Sequence, residues 1–310
     1  MYNGFIVWDN FKNSKIYDGN TLKFGITVDG EDFIVKSGKN SITSIYSEYV
    51  ASRFIKELGI PVHDVWIGYY QNDLVVIIKD FTIKGYSRLQ SFKDTRQSSE
   101  GTDLSSKTYT YTDVLRLIEK HTKMNDINKE KMKVRFWDMF ICDAILGNRD
   151  RHHGNWGYLV TKQGHKPAPI YDNGGSLFPD VERVIDQYIS NDKQFLMDRS
   201  ERFPASLFRI DKGNGETRRT NYNEILSDLR VNKILAQEVK SLKEKIGYKG
   251  VKLKIYKIVS EVHNIIPEVY SMFYVDIICM RYLHLIERYS LEESYQILRG
   301  VKPYEKQKKR

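Results

Sequence analysis

One polar segment stands out as able to do chemistry: ILGNRDRHHGNWG, residues 145–157, which leaves an apolar helical pattern. Arg149, Asp150 and Asn155 fit the R-D-x-x-x-x-N spacing of a phosphoryl-transfer loop. In such a loop the aspartate orients the proton of the attacking hydroxyl, and the asparagine supplies a neutral oxygen to magnesium. Other polar loops can match this spacing by chance, so the segment needs further support.

That support comes from APIYDNGGSLF, in which Asp172 directly follows a short apolar strand. A metal-chelating aspartate occupies this place in phosphoryl-transfer enzymes, although Asn173 stands where many protein kinases have phenylalanine. Taken alone, the run from Asp172 to Gly175 reads as a simple turn. Beside Asp150 and Asn155 we interpret it as the second half of a metal site.

Cationic residues in the first forty positions could hold phosphates. Lys36 ends the strand pattern FIVK, and Glu48 follows on a predicted helix, the order of the lysine–glutamate ion pair of kinases. The alternative interpretation is that Lys36 is an ordinary surface lysine and Glu48 an ordinary carboxylate on the exposed face of a helix. Upstream, the run DGNTLK contains Gly19, Asn20 and Lys23; it is neither a Walker loop nor a G-x-G-x-x-G, but its backbone amides and lysine could cover phosphates.

The elements that must position these residues change character along the chain. An Asp29-Gly30 turn signal and spacings of two and four predict strands and one helix in the first 80 residues. The predicted strands are 22–28, 32–36, 62–70 and 74–78, and the predicted helix is 47–58. We expect a polar surface loop at 87–108, helices at 111–124 (with Thr112 as a cap) and 128–146, short strands at 156–161 and 169–171, and helices from 251 to 298. A sheet-rich lobe followed by a larger helical lobe predicts a bilobed α+β fold.

Composition narrows the class of protein. The chain has 310 residues, a formal net charge of +9 and two cysteines, which exclude a disulfide framework or a cysteine-rich zinc module. The N-terminus has no signal-peptide pattern, and the longest apolar run, 272–280, contains Asp276, so we expect no membrane span and a chain folded in a reducing cytosol. The basic balance and the tail KPYEKQKKR are typical of a solvated lysine-rich surface, and nucleic-acid binding is the less favoured interpretation.

Taken in order, these motifs resemble the HipA-like serine/threonine kinases. The family pattern has a phosphate loop ending in lysine, a strand lysine, an E-Y-x-x-x-R-x-x-x-x-x-G-I-P-V helix, a D-R-H-x-x-N loop and a Y-D metal motif. It is matched here by DGNTLK, FIVK, SEYVASRFIKELGIPV, NRDRHHGN and YDNGG, and the resemblance extends from about residue 17 to 178. It implies a protein-kinase-like fold with a small β-rich N-lobe (1–81) and a larger helical C-lobe (82–310) in one catalytic unit.

The resemblance also implies roles for individual residues. Asp150 looks like the catalytic base, and Asn155 and Asp172 look like the magnesium ligands. His152 is similar to the family histidine near the nucleotide phosphates, whereas His153 has no counterpart. ATP is implied between the lobes, with its phosphates held by a set similar to the family's: Gly19, Asn20, Lys23, Lys36 and Glu48. The run VVIIKDF resembles the strand into the hinge, where backbone groups of Lys79 and Phe81 would hold adenine.

One departure bears on partners and location. Longer family members carry a further N-terminal subdomain of roughly one hundred residues, and this chain begins almost at the phosphate loop, so we do not expect the antitoxin partner of those toxins. The resemblance implies a cytoplasmic bacterial protein; export without a cleavable signal and action in another cell is the alternative.

The favoured function is therefore an ATP- and magnesium-dependent kinase for serine or threonine hydroxyls of proteins, capable of autophosphorylation. Alternatives are a lipid or small-molecule kinase on the same scaffold, a catalytically dead nucleotide- or nucleic-acid-binding adaptor, and, less favoured, a nuclease built on Asp150, His152 and His153. We expect residues 177–208 to form an activation or substrate loop in which Ser190, Ser200 and Ser206 are conceivable phosphate acceptors.

Overall fold

A tight hairpin opens the sheet that carries the cationic residues. In the computed structural model, strand β2 (Lys23–Val28) pairs with β3 (Glu31–Ser37) through the predicted turn at Asp29 and Gly30, whose φ angles are 52° and 77°. Positive φ at both turn residues is what a two-residue hairpin needs. The structure describes residues 1–17, 22–39, 41–82, 86–94, 109–178, 180, 184–201, 205–212, 216–227 and 233–301.

The N-terminal sheet has five strands in the order β1-β4-β5-β3-β2. The remaining strands are β1 (Phe5–Ile6), β4 (Val65–Tyr70) and β5 (Asp73–Lys79), and β1 pairs with β4 in parallel while the other neighbours are antiparallel. Alternate residues of β5 enter different cores: Val75 and Ile77 pack on the outer face, and Val76 and Ile78 pack with helix α1. The predicted strands of this region are confirmed to within three residues at each end.

Helix α1 (Ile42–Glu57) covers the inner face of the sheet. Ser41 caps its N-terminus by accepting a hydrogen bond from the Ser44 amide, and Gly59, with φ 74°, follows its end. The predicted start at residue 47 was wrong by five residues, because Ile45 and Tyr46, which are both buried, extend the apolar face of the helix by one further turn.

Two helices lead into the candidate loop. Helix α2 (Tyr111–Glu119) is shorter than predicted, and its cap is Thr110, in a capping box with Asp113, rather than Thr112. Helix α3 (Asp126–Leu146) is the long buried helix that the sequence predicted, and it ends at Gly147 in the left-handed conformation (φ 70°). That ending turns the chain sharply into the segment that contains Asp150.

Two small three-stranded sheets flank α3. One contains β6 (Ser87–Ser91), β8 (Gly157–Thr161) and β9 (Gly164–Pro167); the other contains β7 (Tyr109–Thr110), β10 (Ala205–Asp211) and β11 (Thr217–Asn221). The expected surface loop therefore begins with a strand, whose polar composition reflects its place at a sheet edge. The predicted strand at 169–171 is reduced to one bridge between Ile170 and Val62.

The rest of the C-terminal lobe is helical. Its helices are α4 (Ile185–Ser190), α5 (Asp192–Glu201), α6 (Tyr222–Ser227), α7 (Lys233–Lys245), α8 (Gly247–Ser260), α9 (Glu268–Arg281) and α10 (Leu291–Leu298), with a π-helical turn at Tyr282–Ile286. One stretch, Glu268–Ile286, is long and apolar enough to cross a membrane, but most of it is buried in the core of this lobe.

The segment 177–208, predicted to be an activation or substrate loop, is partly helical, and its role in activation or substrate binding stays a prediction. That segment contains α4, α5 and the start of β10. Ser200 and Ser206 are buried, whereas Ser190 is exposed at the end of α4. Only Ser190 of these three hydroxyls is accessible to a reacting phosphate.

Candidate active site

Lys23 and Lys36 lie side by side on neighbouring strands of the N-terminal lobe. Lys23 and Lys36 are directly opposite each other in the β2–β3 pairing, so their side chains leave the sheet on the same face. Two like charges at such a position are unfavourable unless anions compensate them. The structure thus brings together two of the cations expected at the phosphates, while Gly19 and Asn20 lie outside the described residues.

Lys36 connects the two lobes through two carboxylates. Its Nζ lies 3.0 Å from Glu48 Oε2 on α1 and 2.9 Å from Asp172 Oδ1. Burial by itself lowers the pKa of Lys36, but the two carboxylates raise it above the ordinary value, so the ammonium is retained. The predicted Lys36–Glu48 ion pair is present.

Glu48 is a buried acceptor with several donors. Its oxygens accept hydrogen bonds from the backbone amides of Asn173 (2.9 Å) and Gly174 (3.1 Å), and His63 Nε2 lies 3.2 Å from Oε1. Burial raises the pKa of Glu48, but Lys36 and then His63 outweigh burial and hold the pKa well below its usual range. The carboxylate is therefore ionised and fixed in orientation.

Asp172 sits on strained backbone at the junction of the lobes. Its φ is 59°, the left-handed region that non-glycine residues seldom occupy, and its side chain is 43% exposed. Lys36 lowers the pKa of its carboxyl, while burial opposes that shift. A charged, reachable carboxylate beside a lysine is suited to bind a cation together with phosphate oxygens.

Asp150 is exposed, but the backbone beneath it is fixed. Its amide donates to Asn148 Oδ1 (2.9 Å), and its side chain is 62% exposed. A Cβ atom on Gly175 would lie 2.7 Å from Asp150 Cβ, so only glycine permits this close approach of the YDNGG segment to the loop. Asp150 is placed to meet a substrate hydroxyl from solvent.

Asn155 is oriented by Asp150. Its Nδ2 donates to the Asp150 carbonyl (2.8 Å) and to Asp150 Oδ2 (3.3 Å), which leaves Oδ1 as the atom available to a cation. Among the described residues no group of three or more His, Cys, Asp or Glu side chains is placed to hold a metal. One amide and one carboxylate oxygen fit magnesium, which prefers hard oxygens and completes its shell with phosphates and water.

The two histidines of the loop differ in exposure. His152 is 44% exposed; its Nδ1 accepts from the Gly154 amide (3.0 Å), which puts the proton of a neutral ring on Nε2, 3.9 Å from Asp150 Oδ1. His153 is buried inside the lobe. With His153 turned inward, a nuclease centre on Asp150, His152 and His153 has no geometric support.

A buried arginine that the motif reading assigned no role organises this loop. Arg151 is fully buried and pairs in two places with Asp143 of α3, at 2.9 and 3.1 Å. Its Nη1 also donates to the carbonyls of Asn155 (2.7 Å) and Tyr171 (2.5 Å), so one guanidinium holds both segments that contain the predicted metal ligands. Burial lowers the pKa of Arg151, yet Asp143 raises it above the ordinary value.

The segment predicted to be the hinge contains Lys79 and Phe81. The Lys79 amide donates to the Asp64 carbonyl (2.9 Å), so Lys79 can offer adenine only its carbonyl oxygen, and its side chain pairs with Glu31. Phe81 packs beside Tyr171, with ring centroids 6.0 Å apart. The adenine roles of Lys79 and Phe81 remain predictions.

Several residues that build the site escaped sequence reasoning. A signal was available for two of them: Asp143 is a lone carboxylate in an apolar stretch of α3, and a buried charge needs a partner such as Arg151. Asn173, Ser52 and His63 carried no comparable local signal.

Comparison with known proteins assigns the class. A model of the HipA-like C-terminal domain matches residues 15–235, more than half of the chain, and the protein belongs to this family. Its fold is α+β with a kinase-like arrangement, as the sequence predicted.

Individual relatives make the comparison more specific. The serine/threonine-protein kinase CtkA of Helicobacter pylori is 34% identical over 184 residues, which cover 59% of this chain and 54% of that protein. The sequence match thus spans about half the length of the curated relative. The crystal structure of the proinflammatory kinase CtkA from Helicobacter pylori superposes with a TM-score of 0.74 and 26% identity, over 89% of this chain and 94% of that one. HipA from Shewanella oneidensis MR-1, solved with HipB and operator DNA, gives a TM-score of 0.55 at 17% identity, over 90% of this chain and 69% of that one, and shares the fold.

Proposed function

We propose that this protein is an ATP- and magnesium-dependent protein kinase that phosphorylates serine or threonine hydroxyls. The observation that carries the proposal is the pair of contacts from Lys36 Nζ to Glu48 (3.0 Å) and Asp172 (2.9 Å), next to a loop that presents Asp150 and Asn155. The name and fold of the Helicobacter pylori relative support the same activity.

The residues divide the work in a consistent way. Lys36 and Lys23 would bind the phosphates of ATP, and Glu48 keeps Lys36 in place. Asn155 and Asp172 would hold Mg²⁺, which supplies neutralisation of the charge on the reacting phosphates. Asp150 would orient the acceptor hydroxyl and take its proton, so that the rate gain comes mainly from positioning and charge stabilisation.

The test is phosphate transfer from labelled ATP with magnesium to a panel of protein acceptors, to lipid vesicles and to the chain itself. Asp150→Ala should lose at least about 10²-fold in rate, because general-base and positioning contributions are of that order. Since Asp150 is largely exposed, this variant should still fold. The matched control is Asp126→Ala, whose carboxylate is 99% exposed at the start of α3 and which should keep the wild-type rate.

The same assay separates the alternatives. Equal transfer by wild type and Asp150→Ala would overturn the proposal. Label that appears on lipid but on no protein would indicate a lipid kinase. A thermal-shift measurement that shows no stabilisation by ATP and magnesium would favour a nucleotide-free adaptor.

Autophosphorylation belongs to this proposal. Of the three serines considered, Ser190 is exposed, and its Oγ donates to the Gln187 carbonyl (3.2 Å). Mass spectrometry after incubation with ATP should find phosphate on accessible hydroxyls and none on the buried Ser200 or Ser206.

We further propose a cytoplasmic location, with export from the cell as the alternative. Cys142 and Cys279 are both free and buried, which suits a reducing compartment. The antitoxin HipB and operator DNA belong to the Shewanella oneidensis complex, and at 17% identity we do not transfer either partner to this chain.

A further inference from the structure

Asn173, the residue that follows the metal-binding aspartate, is fully buried and uses all of its polar groups. Its amide donates to Glu48 Oε1 (2.9 Å), and its Nδ2 donates to Ser52 Oγ (2.9 Å). Its Oδ1 accepts from Arg151 Nη2 (2.6 Å), and its carbonyl accepts from the Ser176 amide (3.0 Å). One side chain therefore connects α1 of the N-terminal lobe with the arginine under the catalytic loop.

On the N-terminal side, Ser52 belongs to a closed set of hydrogen bonds. Its Oγ lies 3.0 Å from His63 Nε2, and that nitrogen lies 3.2 Å from Glu48 Oε1. A carboxylate only accepts, so the network assigns the His63 proton to Nε2. His63 Nδ1 has no partner within the described part of the chain, which is tolerable for a lone pair and costly for an N–H donor.

On the catalytic side, the connection continues to Asp150. Arg151 pairs with Asp143, Asn148 Nδ2 donates to Asp143 Oδ1 (3.1 Å), and Asn148 Oδ1 accepts from the Asp150 amide. The links from Ser52 through Asn173, Arg151 and Asp143 to Asn148 join buried groups, where an unsatisfied member is expensive. Only the last link, from Asn148, reaches the exposed Asp150. Breaking a hydrogen bond in this network should therefore destabilise both the Lys36–Glu48 site and the Asp150 loop.

We propose that Asn173 and Ser52 are positioning residues that couple the Lys36–Glu48 phosphate site to the Asp150 loop. This inference rests on the proposed kinase function and deepens it. Asn173 stands where many protein kinases have a phenylalanine whose packing distinguishes active from inactive states, and its hydrogen bonds here join the two lobes. Neither residue touches the reacting atoms.

The chain offers a matched pair of variants on one helix. Ser52→Ala removes a hydroxyl that joins Asn173 and His63, and Ser47→Ala removes an equally buried hydroxyl that makes no hydrogen bond among the described residues. Each change deletes one oxygen atom from α1, so both variants should fold.

Two measurements are made on wild type and both variants. In steady-state phosphate transfer, Ser52→Ala should lower kcat by about tenfold, which corresponds to the free energy of one lost hydrogen bond. The KM for ATP should stay within about twofold of wild type, because Lys36 keeps its ion pairs with Glu48 and Asp172. In hydrogen–deuterium exchange without nucleotide, peptides covering residues 147–157 should take up deuterium faster in Ser52→Ala. Ser47→Ala should match wild type in both.

The outcomes are decisive in each combination. Equal behaviour of the two variants in both measurements overturns the inference. A lower kcat without faster exchange places the effect of Ser52 in the N-terminal lobe and overturns the coupling, and faster exchange with unchanged kcat overturns the positioning role. If wild type transfers no phosphate, the proposed function fails, and the exchange measurement alone still decides whether the lobes are coupled.

Discussion

We expect substitutions of Arg151 and Asp143, which form a buried ion pair, to destabilise the protein to different extents. The side chains are 0% and 1% exposed and share two hydrogen bonds of 2.9 and 3.1 Å. Arg151→Met leaves a buried carboxylate whose remaining side-chain donor is Asn148. Asp143→Leu leaves a cation that still has the carbonyls of Asn155 and Tyr171, so Arg151→Met should be the more damaging change.

The magnitude follows from the burial. Removing one member of a buried ion pair costs about 3–5 kcal/mol, a large share of the roughly 5–15 kcal/mol of a typical protein. At ordinary urea slopes Arg151→Met should unfold about 1–2 M earlier. The double variant should lose less stability than the sum of the two single variants, because it leaves no uncompensated charge. It should still transfer no phosphate, because Arg151 also holds both segments that contain the proposed metal ligands.

The pH dependence of this loss has a definite sign. Burial raises the pKa of Asp143, and Arg151 is the cation that opposes this shift. In Arg151→Met the carboxyl therefore protonates more readily in the folded than in the unfolded chain. The free-energy loss should be largest at neutral pH and should shrink as the pH falls.

Urea unfolding followed by circular dichroism, at pH 7 and pH 5, measures these quantities. The control is Arg116→Met, which breaks a 3.4 Å pair with Asp113 whose side chains are 49% and 42% exposed, and which should cost little. If Arg151→Met and Arg116→Met unfold at the same urea concentration, the assignment of Arg151 as the organiser of the loop is refuted.

Two further predictions concern the same site. The pKa values of Glu48 and Asp172 are lowered in the folded chain, so both carboxylates stabilise the folded state at pH values above their ordinary pKa values of 4.5 and 3.8. This stabilisation is lost as the pH falls through the lowered pKa values. Lys36→Met should raise both pKa values and move acid unfolding, measured by tryptophan fluorescence, to higher pH. Gly175→Ala places a Cβ 2.7 Å from that of Asp150, so it should reduce kcat by at least about tenfold while ATP binding by calorimetry stays near wild type.

Matched variants control both measurements. Lys240→Met removes an exposed lysine of α7 and should leave the acid transition in place. Gly250→Ala adds a methyl group in α8 that must displace the Ile246 side chain, whose Cγ1 would lie 2.8 Å away, and should leave kcat unchanged because it lies outside the Asp150 loop and the YDNGG segment. An acid transition that does not move in Lys36→Met, or a kcat in Gly175→Ala equal to that of Gly250→Ala, would contradict the stated roles.

Local spacing was sufficient for the elements and for much of the candidate site. The Asp29-Gly30 turn, the strand ending at Lys36 and the buried helix before Gly147 follow from interactions within a few residues, and all three are present. Element ends were less certain. The edge strand β6 is mostly polar and has no apolar periodicity to mark it, and the first turn of α1 mixes Ile42 and Ile45 with Thr43 and Ser44. The helices within 177–208 were missed for the same reason, because they are short and rich in polar residues.

What the sequence determined by itself is the set of reactive groups and their order: Lys36, Glu48, Asp150, Asn155 and Asp172 could be chosen because each lies in a short recognisable pattern. What only the tertiary structure decided is how these groups are held. Asn173 donates a hydrogen bond to Ser52, which lies 121 positions earlier in the chain, and local sequence patterns cannot predict so distant a contact. Buried polar groups must find partners wherever the fold brings them, so the network beneath the site became visible only when the two lobes were packed together.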